Sequence, residues 1–436
     1  MPSIRRNIDW VVDDAGRVIG QQDKPGMIIG TSRTAANASV ACFRPFGSQS
    51  GAGSSATRET QLLFQFPSRP ILVRALMQNI EATPPTNITA TFSGSTTLGS
   101  PQYVLPTGSA WVPQTWAGST TLANGPARIS SSTPGTDTTA DWMTVDAPNR
   151  TDGGQGFLLF VRIHPGTGNF SFGSTATGGT AAALNAEANA GRCGYLLSAL
   201  RNNTTSTGAG NEGNFNSSPI EGGSLLYSAV APLHVLEVVF ENGMKWSYSV
   251  GDSLTAGRST SSAIMSCFAQ GAHLAGLGYI NDGLSGQTTA QYLARGLAYL
   301  NNAPRLPNRI YYTAWSPNDY NTSSPNVTPA LLLAAKGRLM QMLDFVSRHP
   351  EVEALDVPTP WPWDALDAAN DAGRLSFRTW LLSLSIPKLN VIDVEPSLSN
   401  GATPARFRTG MTPDGLHLGD LGCGAFKQTF ANSIVL

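Results

Sequence analysis

Five residues in the second half of the chain have the types and spacing for acyl transfer. Ser253 lies in Gly251-Asp-Ser-Leu254, directly after a run of β-formers over 246–250. That pattern reads as a strand ending in a sharp turn, with the hydroxyl presented at the strand's carboxyl end, where open α/β sheets bind ligands. A serine so placed is a nucleophile when a base takes its proton and donors face the oxyanion. His417, in Asp414-Gly-Leu-His417, is the candidate base, and Asp414 stands within one turn of it and can hold its tautomer. The candidate oxyanion donors are the backbone N–H groups of Ser253 and Gly286 and the side-chain amide of Asn318. A glycine at 286 lets the backbone come close to a substrate. The competing reading makes Ser253 a helix cap, His417 a surface histidine, and Gly286 and Asn318 ordinary turn residues.

The elements that must position these residues follow from the texture after Asn242-Gly243. Strand-like runs at 246–250, 278–281, 309–314, 352–357 and 390–394 alternate with helix-like stretches at 260–272, 288–300, 329–347 and 364–384, and 421–434 closes the chain as a helix. Such alternation implies a parallel sheet covered on both faces. The motifs around Ser253, Gly286 and Asn318 each follow a strand, so they share one rim. Trp315, Trp361 and Trp363 fall near that rim; they can flank a sugar or acyl group, and core packing is an equal reading.

These motifs resemble the GDSL esterases and lipases, the SGNH hydrolases, over about residues 244–436. Gly251-Asp-Ser-Leu254, the block around Gly286 and the closing Asp414-x-x-His417 are intact. The third block departs: the family has Gly-x-Asn-Asp, and here Ser316 stands in the glycine's place, with Asn318 kept. The resemblance implies a three-layer α/β/α sandwich on a five-stranded parallel sheet. It also implies a catalytic Ser253, Asp414 and His417, an oxyanion hole of Ser253, Gly286 and Asn318, and no metal or other cofactor.

The first half reads as β. Residues 1–40 form a small hairpin module, with runs at 10–12, 17–20 and 27–30 divided by turn residues, and resemble the short hairpins of phage structural proteins. The Gly/Ser-rich stretch 41–60 reads as a loop or linker. Short runs at 62–66, 71–76, 87–92, 142–145, 157–163 and 235–240 suggest a β-sandwich over 61–240, with long loops near 94–140 and 173–225 and a short helix at 181–190. The expected organisation is therefore a hairpin module at 1–40, a sandwich at 61–240 and a hydrolase unit at 241–436 able to fold by itself.

Charged residues are only 13% of the 436 and the net charge is -1, so a nucleic-acid partner held by phosphate contacts is not expected. No apolar run reaches signal-peptide or membrane-span length, and no membrane partner is expected. Cys42, Cys193, Cys267 and Cys423 form no CxxC pair and read as buried free thiols, and His164, His234, His273 and His349 share no ligand spacing. The expected activity is hydrolysis of a short acyl ester, such as O-acetyl groups on a polysaccharide, on a virion or extracellular surface. The N-terminal β region would then meet a virion partner or a second copy. The alternatives are a structural or carbohydrate-binding protein carrying an incidental esterase domain, or a lipase of longer acyl chains.

Overall fold

The structure is a computed structural model that describes residues 9–12, 18–22, 28–29, 40–44, 48–54, 58–79, 86–96, 111–126, 128–129, 135–136, 140–164, 169–174, 197–202, 230–232, 234–257, 266–303, 305–322 and 324–434. Its centre is one mixed ten-stranded sheet. In chain order the strands are β1 (Val40–Arg44), β2 (Pro70–Asn79), β3 (Gly135–Thr136), β4 (Met143–Thr144), β5 (His234–Phe240), β6 (Trp246–Gly251), β7 (Gly278–Gly283), β8 (Arg309–Tyr312), β9 (Ala354–Pro358) and β10 (Leu389–Ile392). Across the sheet the order is β3-β2-β5-β1-β7-β6-β8-β9-β10, with β4 also on β2. From β1 to β10 every pairing is parallel, whereas β5 and β2 join antiparallel.

Both faces of the parallel part are covered, as alternating side chains require. The helices are α1 (Ser253–Ala256), α2 (Cys267–Leu274), α3 (Thr289–Asn302), α4 (Pro329–Arg348), α5 (Ala368–Leu382), α6 (Glu395–Leu398) and α7 (Asp420–Asn432). Tyr311 and Tyr312 are neighbours on β8 and point opposite ways. Tyr311 meets Phe268 of α2 at 4.1 Å and Phe430 of α7 at 5.4 Å, while Tyr312 meets Tyr292 of α3 at 5.7 Å between ring centroids. The helix starts are encoded locally: Thr288 and Gln291 form a capping box on α3, and Thr328 caps α4 with Pro329 in its first turn.

A second sheet runs Leu122–Asn124, Thr86–Ser95, Phe157–His164, Arg58–Phe66 and Leu197–Asn202, with Val112–Pro113 beside Thr86–Ser95. It packs on the antiparallel end of the large sheet through Phe66, whose ring lies 4.9 Å from Phe43 and 5.0 Å from Phe240. The N-terminal hairpin pairing is present, Asp9–Val12 with Val18–Gln22 and that strand with Ile28–Ile29.

Three expectations change. The sheet is not a five-stranded parallel one, because β1 extends it in parallel and β5 and β2 continue it antiparallel. The stretch 41–60 contains all of β1 but Val40, a strand buried along its whole length, and the strand Ser48–Ser54, which pairs with Asn169–Ser174. A five-residue strand beside a Gly/Ser run carries no period to read, so composition misleads there. The boundary expected at 240/241 falls inside one sheet and one core, with Phe43 touching Phe64 at 6.3 Å on one side and Tyr279 at 6.0 Å on the other. The helix expected at 181–190, Cys193 and the stretch 258–265 lie outside the described residues, and Cys42, Cys267 and Cys423 are buried free thiols as expected.

Candidate active site

The turn that carries Ser253 is tight because small residues allow it. A Cβ on Gly251 would stand 2.1 Å from Thr255 Oγ1 and 2.3 Å from Thr313 Oγ1, and one on Gly283 would stand 2.2 Å from the Ala256 nitrogen. β6 can therefore end against the next turn, and α1 begins at once with Asp252 as its cap, accepting from the Leu254 N–H at 2.9 Å. Gly257, at φ +86°, closes α1 in the left-handed region.

On this turn Ser253 is 7% exposed and His417 6%. Ser253 Oγ lies 2.9 Å from His417 Nε2, and His417 Nδ1 lies 2.7 Å from Asp414 Oδ2. The other Asp414 oxygen accepts from the His417 N–H at 2.8 Å and the Leu416 N–H at 3.0 Å, so one carboxylate fixes both the loop and the ring. Burial pushes the Asp414 carboxyl up, but the hydrogen bonds from His417 and Leu416 outweigh it and leave it below its ordinary value. The three residues expected to act together are thus brought together, although Ser253 and His417 are 164 residues apart.

The groups expected to face an oxyanion come from two loops. Leu284 N–H donates to Gly251 O at 3.1 Å, which ties the Gly286 loop to the end of β6. Gly286 sits at φ +81° with open space where a Cβ would point, so the local reason for glycine is the left-handed backbone and not crowding. Asn318 Nδ2 donates to Gln287 O at 3.0 Å and lies 3.3 Å from Ser316 Oγ, which holds the amide beside the Gly286 loop. Pro317–Tyr320 is a short 3-10 turn capped by Ser316.

Beneath these groups lies a carboxylate that sequence reasoning passed over. Asp252 is fully buried and accepts from Ser316 Oγ at 2.5 Å. Burial pushes its carboxyl up from 3.8 to about 6, against the hydrogen bonds from Ser316 and Leu254. Asp319, also raised chiefly by burial, accepts from the Thr289 N–H at 3.1 Å and pairs with Arg338 at 3.5 Å. Ser316 was visible as the departure from the family's glycine; its partner, 64 residues away, was not.

The tryptophans are placed differently from the sugar-flanking expectation. Trp315 is 6% exposed and stacks on Tyr320 at 4.2 Å with Phe377 at 5.9 Å; Trp361 is 5% exposed against Phe268 and Phe426; Trp363 is 3% exposed. Burial of this degree favours the core-packing reading of the three rings over the sugar-flanking one. Asp364 instead links this segment to the histidine loop, since its N–H donates to Gly415 O at 2.9 Å and its Oδ1 accepts from the Phe407 N–H at 3.0 Å. Among the described residues no group of three His, Cys, Asp or Glu could hold a metal ion.

No family model matches the sequence, and no curated protein matches it. Solved structures of GDSL lipolytic proteins and esterases are similar to part of the chain. A lipase from a goat rumen metagenome is 16% identical, covering 44% of this chain and 97% of its own, with a TM-score of 0.36. A GDSL-like lipase from Bacteroides thetaiotaomicron is 16% identical, covering 44% and 89%, with a TM-score of 0.32. An acetylxylan esterase from Geobacillus stearothermophilus is 15% identical, covering 44% and 95%, with a TM-score of 0.33.

Proposed function

We propose that the protein is a serine esterase of the GDSL type that removes short acyl groups from a polar alcohol. The observation that carries this reading is the linked set Ser253 Oγ, His417 Nε2 and Nδ1, and Asp414 Oδ2, at 2.9 and 2.7 Å, with Ser253 on a turn at the end of a parallel strand. In this reading Ser253 Oγ attacks the acyl carbon as His417 Nε2 takes its proton. Asp414 holds the ring and offsets its charge. The carbonyl oxygen becomes an oxyanion facing the Ser253 and Gly286 N–H groups and the Asn318 amide. Collapse expels the alcohol, which takes the proton from His417. Water, deprotonated by His417, then attacks the acyl-enzyme and releases the acid and free Ser253.

The short-acyl preference is supported by the loops near the motifs, 320–328 and 399–412, which are rich in Ser, Thr, Asn, Gly and Pro and hold no long apolar insertion. Turnover over Michaelis constant is expected to fall steeply along p-nitrophenyl esters from acetate to decanoate, at about 1–3 kcal/mol for each methylene that cannot fit. An optimum at octanoate or beyond would replace this reading with a lipase while keeping Ser253 as nucleophile.

O-acetyl groups on a polysaccharide are the proposed natural substrate, with the protein on a virion or extracellular surface. The low charged fraction and the N-terminal hairpins support that context. Full-length Ser253→Ala should be retained on an O-acetylated polysaccharide column and pass through the same polymer after saponification. Equal passage through both would sink the carbohydrate part.

A further inference from the structure

We propose that Arg44, from the N-terminal half, is a positioning residue for the oxyanion side of this site, a role that rests on the esterase reading. Arg44 ends β1 and is 1% exposed. Its Nε and Nη2 donate to Asn281 O at 3.1 and 2.9 Å, Nη2 also meets Asp282 Oδ1 at 2.5 Å, and Nη1 donates to Gln78 Oε1 at 2.6 Å. Asn281 and Asp282 lie at the carboxyl end of β7, immediately before the loop that carries Gly286.

The chain of contacts continues to both edges of the site. Asp282 is fully buried; its Oδ2 accepts from Tyr248 OH at 2.6 Å and pairs with Arg295 Nη1 at 2.7 Å. Burial pushes the Asp282 carboxyl up, and the Arg295 and Arg44 guanidiniums outweigh it and leave it below its ordinary value. Arg295 in turn donates Nη2 to Gly251 O at 3.0 Å, two residues before the nucleophile, and Nε to Gln287 Oε1 at 2.9 Å, one residue after Gly286. The Gln287 carbonyl is the acceptor for Asn318 Nδ2.

Charge balance alone does not call for Arg44, because Arg295 already pairs with Asp282. Burying a second cation carries a large desolvation cost, and an apolar side chain could fill the place. What the planar guanidinium adds is geometry: it pins a backbone carbonyl and a carboxylate at once, where β7 turns into the oxyanion loop. The N-terminal half thereby holds part of the site without touching substrate.

The test compares full-length Arg44→Met and Arg44→Lys with wild type on p-nitrophenyl acetate, with thermal unfolding followed alongside. Arg309→Met is the reference for a buried arginine that only stabilises, since Arg309 pairs with Asp356 at 2.7 and 2.9 Å at the start of β8, the end away from the site. Arg44→Met should lower kcat about ten- to a hundredfold with KM changed less than about twofold. Arg44→Lys should recover part of the loss, and Arg309→Met should lower Tm with kcat unchanged. A folded Arg44→Met with wild-type kcat overturns the proposal, as does an equal kcat loss in Arg309→Met. If Arg44→Met does not fold, Arg44→Lys is read by the same criteria, and failure of both to fold makes Arg44 structural and overturns the proposal. A wild type without turnover sinks the esterase reading, and this proposal with it.

Discussion

Ser316 donates its hydroxyl to the carboxylate of Asp252 across 2.5 Å, joining the turn before Ser253 to the loop that carries Asn318. The hydroxyl fills the position where the related motif has a glycine, so the departure supplies a tie between two loops of the site. It also holds the buried carboxylate of the residue next to Ser253 in the chain.

Asp252 makes a pH signature. Its folded pKa is raised from 3.8 to about 6, so between those values the native state holds the proton more tightly than the unfolded chain. This group's contribution to stability therefore falls as pH rises through that window and levels off above it, by roughly 3 kcal/mol in total. Asp252→Asn lacks the penalty. Its denaturation free energy relative to wild type should improve between pH 4 and pH 7. A difference that stays flat with pH contradicts the buried, raised carboxyl.

Gly251→Ala should be damaging out of proportion to one methyl. The new Cβ would stand 2.1 Å from Thr255 Oγ1 and 2.3 Å from Thr313 Oγ1. Overpacking of this kind costs about 1–3 kcal/mol, and relief must come from moving the turn that carries Ser253. Urea unfolding and turnover should fall together; unchanged turnover would mean the turn accommodates the methyl elsewhere.

Asn318→Ala should lower kcat by about a hundred- to a thousandfold with little effect on KM, as loss of one oxyanion donor does. An effect confined to KM would make Asn318 a binding residue.

A fragment beginning at Glu241 loses β1 and bares the edge of β7. It also leaves Asp282 without Arg44 and uncovers Tyr279, whose ring packs on Phe43 at 6.0 Å. We expect sedimentation and circular dichroism to show aggregation or partial unfolding. A soluble fragment with wild-type turnover would show that the shared sheet is dispensable.

How much of this was legible in the sequence depends on how local each signal is. Asp414 and His417 are three residues apart, and Ser253 follows a run of β-formers, so the motifs could be read directly. The helices after Thr288 and Thr328 carried their own caps. Arg44 could not be found that way, because its partner Asp282 is 238 residues distant and β1 is too short to show a period. Composition also drew the expected boundary at 240/241 where hydrogen bonding and ring packing make one body. Trp315, Trp361 and Trp363 have the same sequence signature whether they line a rim or fill a core, and only burial decides between the two.

The most direct measurement is the turnover of Ser253→Ala on p-nitrophenyl acetate beside wild type, with folding checked by circular dichroism. The 2.9 Å contact from Ser253 Oγ to His417 Nε2 predicts a folded protein whose kcat/KM is lower by several orders of magnitude. A folded Ser253→Ala that keeps most of the wild-type activity would contradict Ser253 as the nucleophile.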